Sequence, residues 1–206
     1  MNRSEKAPRL SIGVMRVLRT TLSMRPTMVP MRRMLLGFVL GLLVLGTAAT
    51  SAWAQSEDQI KAAFLFNFAR YVEWPDSAFS GPSAPVRICM AGADDFATIV
   101  SQAVGGKSVG DRAVDVVSGI GLADASACHI LYVGAGLDGD ASAVASSVSG
   151  GNVFTVADRE GFAKTGGIAN FMRADNKVRF EINPGAAKQA GLKISSRLLR
   201  LAKVVK

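Results

Sequence analysis

The chain is poor in the side chains that carry most enzyme chemistry. Its 206 residues hold one histidine, two cysteines, two tryptophans and two tyrosines. A single imidazole with two thiols cannot assemble a zinc centre of the usual Cys/His kind. His129 also has no serine elbow anywhere in the chain to complete a nucleophilic triad. No internal repeat, low-complexity tract or pair of carboxylates placed for acid–base work stands out. Long apolar runs are scarce too. The one uninterrupted stretch, Met34–Leu45, is shorter than the roughly 20 residues a membrane span needs. A catalyst is therefore not the expectation, and a binding protein is.

What is present begins with a leader. Met31–Ala54 has Arg32 and Arg33 as a positive end, Met34–Leu45 as an apolar core, and Ala52-Trp53-Ala54 as a small-x-small cleavage site. Cleavage after about Ala54 predicts an exported, periplasmic domain over residues 55–206 that does not itself span the membrane. Residues 1–30 make the leader over-long, and Met15, Met24, Met28 and Met31 all offer starts. Translation is expected to begin near Met24–Met31. Residues 1–54 hold eight of the basic residues and one acid, which leaves 16 Lys+Arg against 15 Asp+Glu. The strongly basic charge thus belongs to the leader, and nothing in the rest argues for nucleic acid.

The exported part alternates in period. Asp58–Trp74 is apolar nearly all round as a helix, with Phe64, Phe68, Tyr71 and Trp74 on its aromatic side. Such a face is either core or a dimer or partner surface, and Trp74-Pro75 ends it. Strands are expected at Val86–Met90, Ala113–Val117, His129–Val133 and Val153–Val156. Helices are expected at Asp94–Val104, capped by Asp94 or Asp95, and at Gly139–Val148. Strands separated by helices predict an α/β fold, a mostly parallel sheet with helices on both faces in three layers.

Gly166–Asn183 closes that sheet with a β-hairpin, Ile168–Arg173 and Lys177–Asn183 flanking Ala174-Asp175-Asn176. Val178, Phe180 and Ile182 point to one face and Lys177, Arg179, Glu181 and Asn183 to the other, a polar row expected to be exposed. Asn183-Pro184 then starts a short helix stopped by Gly191. Ser195–Val205 reads as a closing helix with Ile194, Leu198, Leu201 and Val205 inward, and Arg197, Arg200 and Lys203 outward.

Three motifs invite chemistry. Cys89 and Cys128, an even pair in an oxidising compartment, read first as a disulfide, two buried free thiols being the alternative. Gly134-Ala135-Gly136-Leu137-Asp138-Gly139 fits G-x-G-x-x-G between a strand and a helix, with Asp158 further on. Export removes the supply of nicotinamide cofactors, so Gly134, Gly136 and Gly139 remain a candidate ligand loop for a small anion. Asp138-Gly139-Asp140 lacks the full loop of a calcium site. No cofactor and no metal are expected.

Taken together, IKAAFLFNFARYVEWP (60–75), GGIANF (166–171) with VRFEIN (178–183), and GLKISSRLLRLAKVV (191–205) resemble the YfiR family of periplasmic regulators. The resemblance spans essentially the whole exported part, and the order of the blocks is its specific feature. It implies a non-enzymatic homodimer that holds an inner-membrane diguanylate cyclase of the YfiN type inactive. Release through an outer-membrane OmpA-like lipoprotein or a redox change would raise cyclic-di-GMP and biofilm formation. Cys89 and Cys128 match a bridging pair of that family. A second cysteine pair, found near the GG hairpin in the characterised type, is absent here. The hairpin residues Gly166, Gly167, Asn170, Phe171, Phe180, Glu181 and Asn183 are the expected partner surface. The alternative is a periplasmic small-ligand sensor, using the glycine loop and serving another signalling or transport partner.

Overall fold

Strands that are apolar on both faces place one side in each of two cores, and the computed structural model shows both. It describes residues 57–137 and 140–206, all within one compact unit. The leader, the start-site expectation, Asp138 and Gly139 lie outside the described residues. Along the chain come a helix over 57–71 (α1), β1 (Val72–Glu73), β2 (Val86–Ala91), α2 (Asp94–Val104), β3 (Ser108–Val109) and β4 (Arg112–Ser118). Then follow β5 (Ile130–Val133), α3 (Ala141–Ser147), β6 (Phe154–Ala157), β7 (Ala169–Ala174), β8 (Lys177–Ile182), α4 (Pro184–Gln189), β9 (Lys193–Ile194), α5 (Ser196–Leu201) and β10 (Lys203–Val204).

The main sheet runs β10-β8-β7-β6-β5-β2-β4-β3. Neighbours from β4 through β2, β5 and β6 to β7 are parallel, while β7–β8 and β3–β4 are antiparallel. The expected α/β architecture is present. Ile88, Met90, Ile130, Tyr132, Phe154 and Val156 face α1 and α2 in one core. The residues between them, Cys89, Ala91, Leu131, Val133 and Ala157, face α3 and the turns Leu122–Ala127 and Phe162–Lys164 in the other. This is the period-two arrangement of strands buried on both sides.

An aromatic cluster ties α1 to the hairpin. Phe68 is fully buried and lies 5.2 Å from Phe180, 5.9 Å from Phe171 and 5.4 Å from Phe154, ring centre to ring centre. Phe64 meets Phe180 at 5.0 Å. Each such ring is worth about 3–5 kcal/mol against truncation to alanine. The aromatic side of α1 is therefore core. Its outer side carries Ile60, Ala63 and Arg70, which are exposed, and Phe66, which is half-buried.

Several boundaries differ from the sequence reading. α1 ends at residue 71 because Val72 and Glu73 pair with Ile194 and Lys193 in a separate two-stranded sheet. The closing helix is only Ser196–Leu201, because Lys203 and Val204 turn outward to pair with Glu181 and Ile182. Leu201, expected inward, is 62% exposed, while Leu198 and Val205 are buried as expected. The α2 cap is neither aspartate: Ala93 is the capping residue, and Asp94 accepts from the Gly119 amide at 3.1 Å instead. No helix among the described residues is long and apolar enough to cross a membrane.

Candidate functional site

The hairpin positions a heavily charged hollow. Asp175 and Asn176 take φ of 51° and 55°, the left-handed pair of a two-residue type I′ turn. That turn sets the register Asn170↔Glu181, Phe171↔Phe180 and Met172↔Arg179. Phe171 and Phe180 face α1. Asn170, Met172 and Glu181 face the other way, toward a hollow of about 380 Å³ lined also by Asp158, Glu160, Lys164 and Lys203. It sits where β6 leaves the sheet, beside the short edge strand β10.

The floor of this hollow is fixed by polar side chains that are themselves buried. Asn170 is 2% exposed, and its Oδ1 accepts from the Arg159 amide at 2.9 Å, stapling the loop after β6 to β7. Glu181 is 5% exposed and accepts from Lys203 Nζ at 2.9 Å. Outside the hollow, the half-buried Asn183 caps α4 through the Ala186 amide at 3.0 Å and donates to the Ala163 carbonyl at 2.9 Å. Thus the polar row is not an exposed stripe. Lys177 and Arg179 are exposed, but Glu181 is enclosed, because β10 and the Phe162–Lys164 turn cover that end of the hairpin.

A second polar network anchors the rim to α1. Lys61 is 8% exposed, in a helix otherwise apolar on that side, and it pairs with Asp158 and with Glu57. Glu57 also holds Arg173 of β7. Burial works against the Lys61 charge, but the Asp158 and Glu57 carboxylates outweigh it and raise the pKa. The Lys61 hydrogen bond is the main cause that lowers the pKa of Glu57. From sequence, Lys61 was passed over, Asp158 entered only with the glycine motif, and Lys203 only as an outward base of the closing helix. The legible signal was Lys61, a cation one turn before Leu65 and two turns before Phe68 in a helix that is apolar nearly all round.

The remaining expected residues go elsewhere. A Cβ on Gly167 would lie 2.1 Å from the Phe162 ring, so that glycine admits a core side chain. Gly166 takes φ of 118° at an exposed position. Trp74 packs edge-on to His129, and Tyr71 lies half-buried beside Arg197. Cys89 and Cys128 form a disulfide buried in the second core.

The glycine loop proves to be a packing device at the point where strand order reverses, between β2 and β5. The Gly134 amide donates to the Ala91 carbonyl at 2.8 Å, and the Gly136 amide to the Gly92 carbonyl at 3.2 Å. A Cβ on Gly134 would meet the Gly92 oxygen at 2.2 Å. Both amides are spent, and the glycines let two loops touch backbone to backbone. At the start of α3, where a phosphate would rest, the Asp140 carboxylate already accepts from the Ala143 amide at 2.8 Å. The arrangement does not favour an anion there.

His129 is equally accounted for. Its Nδ1 accepts from the Arg87 amide at 3.0 Å, which places the ring proton on Nε2. The ring stacks on Phe79 at 4.4 Å, and Nε2 is buried without a hydrogen-bond partner. Burial lowers its pKa, with the nearby Ala78 carbonyl opposing. Among the described residues no group of His, Cys, Asp and Glu is placed to hold a metal.

With the fold and the hollow in place, comparison decides the lineage. The sequence pattern of the YfiR/HmsC-like family matches residues 58–203. The chain belongs to the YfiR/HmsC-like family. No curated protein matches it. Among solved structures, a conserved domain protein from Vibrio cholerae gives a TM-score of 0.44 at 12% identity, covering 59% of this chain and 55% of that one. An ABC domain in complex with L-Trp from Streptococcus pneumonia gives 0.39 at 12% identity, covering 58% and 56%. The matched part of this chain spans about half the length of each, and at these scores the likeness carries no argument.

Proteins of the YfiR/HmsC-like family are periplasmic regulators in diguanylate cyclase signalling rather than enzymes. In this member the hairpin and the loop after β6 bring Glu160, Lys164, Met172 and Lys203 to one rim. The buried Asn170 and Glu181 hold that rim in place from beneath. Its chemistry suits recognition: charges of both signs, an apolar thioether, and a fixed backbone.

Proposed function

We propose that the exported chain binds the periplasmic part of an inner-membrane diguanylate cyclase of the YfiN type. In doing so it restrains cyclic-di-GMP synthesis and biofilm formation. The observation that carries the reading is the charged hollow beside the hairpin, in a chain whose family is regulatory. Its floor is set by Glu181–Lys203 and by Asn170 on the Arg159 amide, so little ordering cost falls due on binding. The contact surface is the exposed rim, not the whole set of hairpin residues. Phe171, Phe180, Asn170 and Glu181 support it from inside. The working state is a homodimer, released from the cyclase by an OmpA-like lipoprotein of the outer membrane.

The test uses the periplasmic segment of a membrane diguanylate cyclase from the same genome, immobilised and titrated with the purified protein. Wild type binds. Reversing two exposed rim charges together, Glu160→Lys with Lys164→Glu, weakens binding by about tenfold while the melting temperature holds. Absence of wild-type binding would sink the partner. Equal binding by a folded double variant would move the surface elsewhere on the molecule.

A further inference from the structure

On the side of α1 that faces away from the core, cations and rings alternate. Lys107, in the turn after α2, has its Nζ 4.9 Å from the centre of the Phe66 ring. Arg70 lies 5.9 Å from the same ring and 5.4 Å from Tyr71. Arg197, at the start of α5, completes the row 5.7 Å from Tyr71. The order Lys107, Phe66, Arg70, Tyr71, Arg197 draws on three separate elements. Among the described residues the Tyr71 hydroxyl alone adds a polar contact, accepting from Arg197 at 3.5 Å.

None of these three cations has a carboxylate partner among the described residues, although the domain carries almost as many acids as bases. The rings hold the cations near their faces and leave the charge unneutralised. The Tyr71 hydroxyl responds to them: the Arg197 hydrogen bond, with Arg70 adding, lowers its pKa.

Beside the row runs an open groove of about 520 Å³, lined by Phe66, Arg70, Lys107, Ser108, Val109 and Gly110. One of its walls is β3, the last strand of the sheet, whose outer edge has no strand beside it among the described residues. An unpaired edge offers main-chain hydrogen bonds to an extended chain. Arg70 and Lys107 line the same groove, where carboxylates on alternate residues of such a chain would meet them.

We propose that this groove and ladder form a second docking surface, which takes an extended acidic segment of a protein partner. The surface is separate from the hairpin hollow and does not depend on which protein occupies that hollow. A folded globular partner would use the charge but not the strand edge. An anionic membrane would use the charge but not the groove.

The probe is a fluorescein-labelled peptide of alternating Glu and Val, read by polarisation against protein purified from cells expressing the full chain. A Lys–Val peptide and vesicles of phosphatidylglycerol and phosphatidylcholine in equal parts run alongside. The Glu–Val peptide binds, the Lys–Val peptide does not, and added salt weakens the complex. Arg70→Glu with Lys107→Glu lowers affinity by about tenfold or more, and Phe66→Leu by about threefold. If the double reversal lowers the melting temperature, Arg70→Gln and Lys107→Gln, each alone, must still weaken binding. Failure of the acidic peptide to bind, or equal binding by folded variants, overturns the proposal. Vesicle binding that the same variants abolish, without peptide binding, also overturns it and gives the surface to lipid.

Discussion

His129 shows how a lone reactive side chain becomes a structural one. Its Nδ1 is engaged by the Arg87 amide and its ring lies between Phe79 and Trp74, so a proton on Nδ1 would set donor against donor. Burial holds the folded pKa below the ordinary 6.5. On acidification the unfolded chain therefore takes up a proton first, and stability falls as pH drops below about 6.5. We expect the urea midpoint of wild type to decline between about pH 7 and pH 5 more steeply than that of His129→Asn. The asparagine oxygen can accept from the Arg87 amide but does not titrate. Equal slopes would contradict the role given to His129. At this scale the disulfide was legible, because two cysteines in an exported domain leave one pairing. The glycine loop was legible as a motif but not as a site. Nothing near Gly134 in sequence announces that Gly92 lies against it, or that Asp140 caps α3 with its own carboxylate.

Secondary elements with strong periodicity were read nearly to the residue. β4, β6 and α2 lie within one residue of expectation, and the hairpin turn sits at Asp175-Asn176. The two misplaced helix ends share one cause, pairing with a strand far away in sequence. Residues 72–73 continue the helical pattern of α1, yet β9 claims them. Lys203 and Val204 continue the pattern of α5, yet β8 claims them. Local spacing records neither partner, and tertiary pairing wins over propensity. The polar row misled for the same reason, since covering of Glu181 by β10 depends on that unforeseen pairing. The element-level prediction concerns the α1–hairpin joint. Phe180→Ala removes contacts to both Phe64 and Phe68 and should cost about 3–5 kcal/mol in chemical denaturation. A loss under about 1 kcal/mol would mean that the hairpin is not welded to α1.

As a whole the molecule divides labour across the sheet. One core fastens the aromatic helix to the hairpin. The other holds the Cys89–Cys128 disulfide, whose 39-residue separation is worth about 4 kcal/mol in the chain-entropy account. Between them the parallel strands present a fixed frame, and the hollow beside β8 and β10 is the part of that frame given over to charge. Architecture and family were both legible in the sequence, because hydrophobic period and block order are local records. The rim was not, since it joins the loop after β6, the hairpin and β10, which only folding brings together. In the function proposed above, this rim restrains a membrane diguanylate cyclase. Cyclic-di-GMP, quantified by mass spectrometry in cells carrying the cyclase, tests it most directly. Cells that also express the wild-type chain should hold less cyclic-di-GMP than cells without it. Glu160→Lys with Lys164→Glu, exported and folded, should restore the level. An unchanged level with the wild-type chain, or full restraint by the folded double variant, would contradict the account.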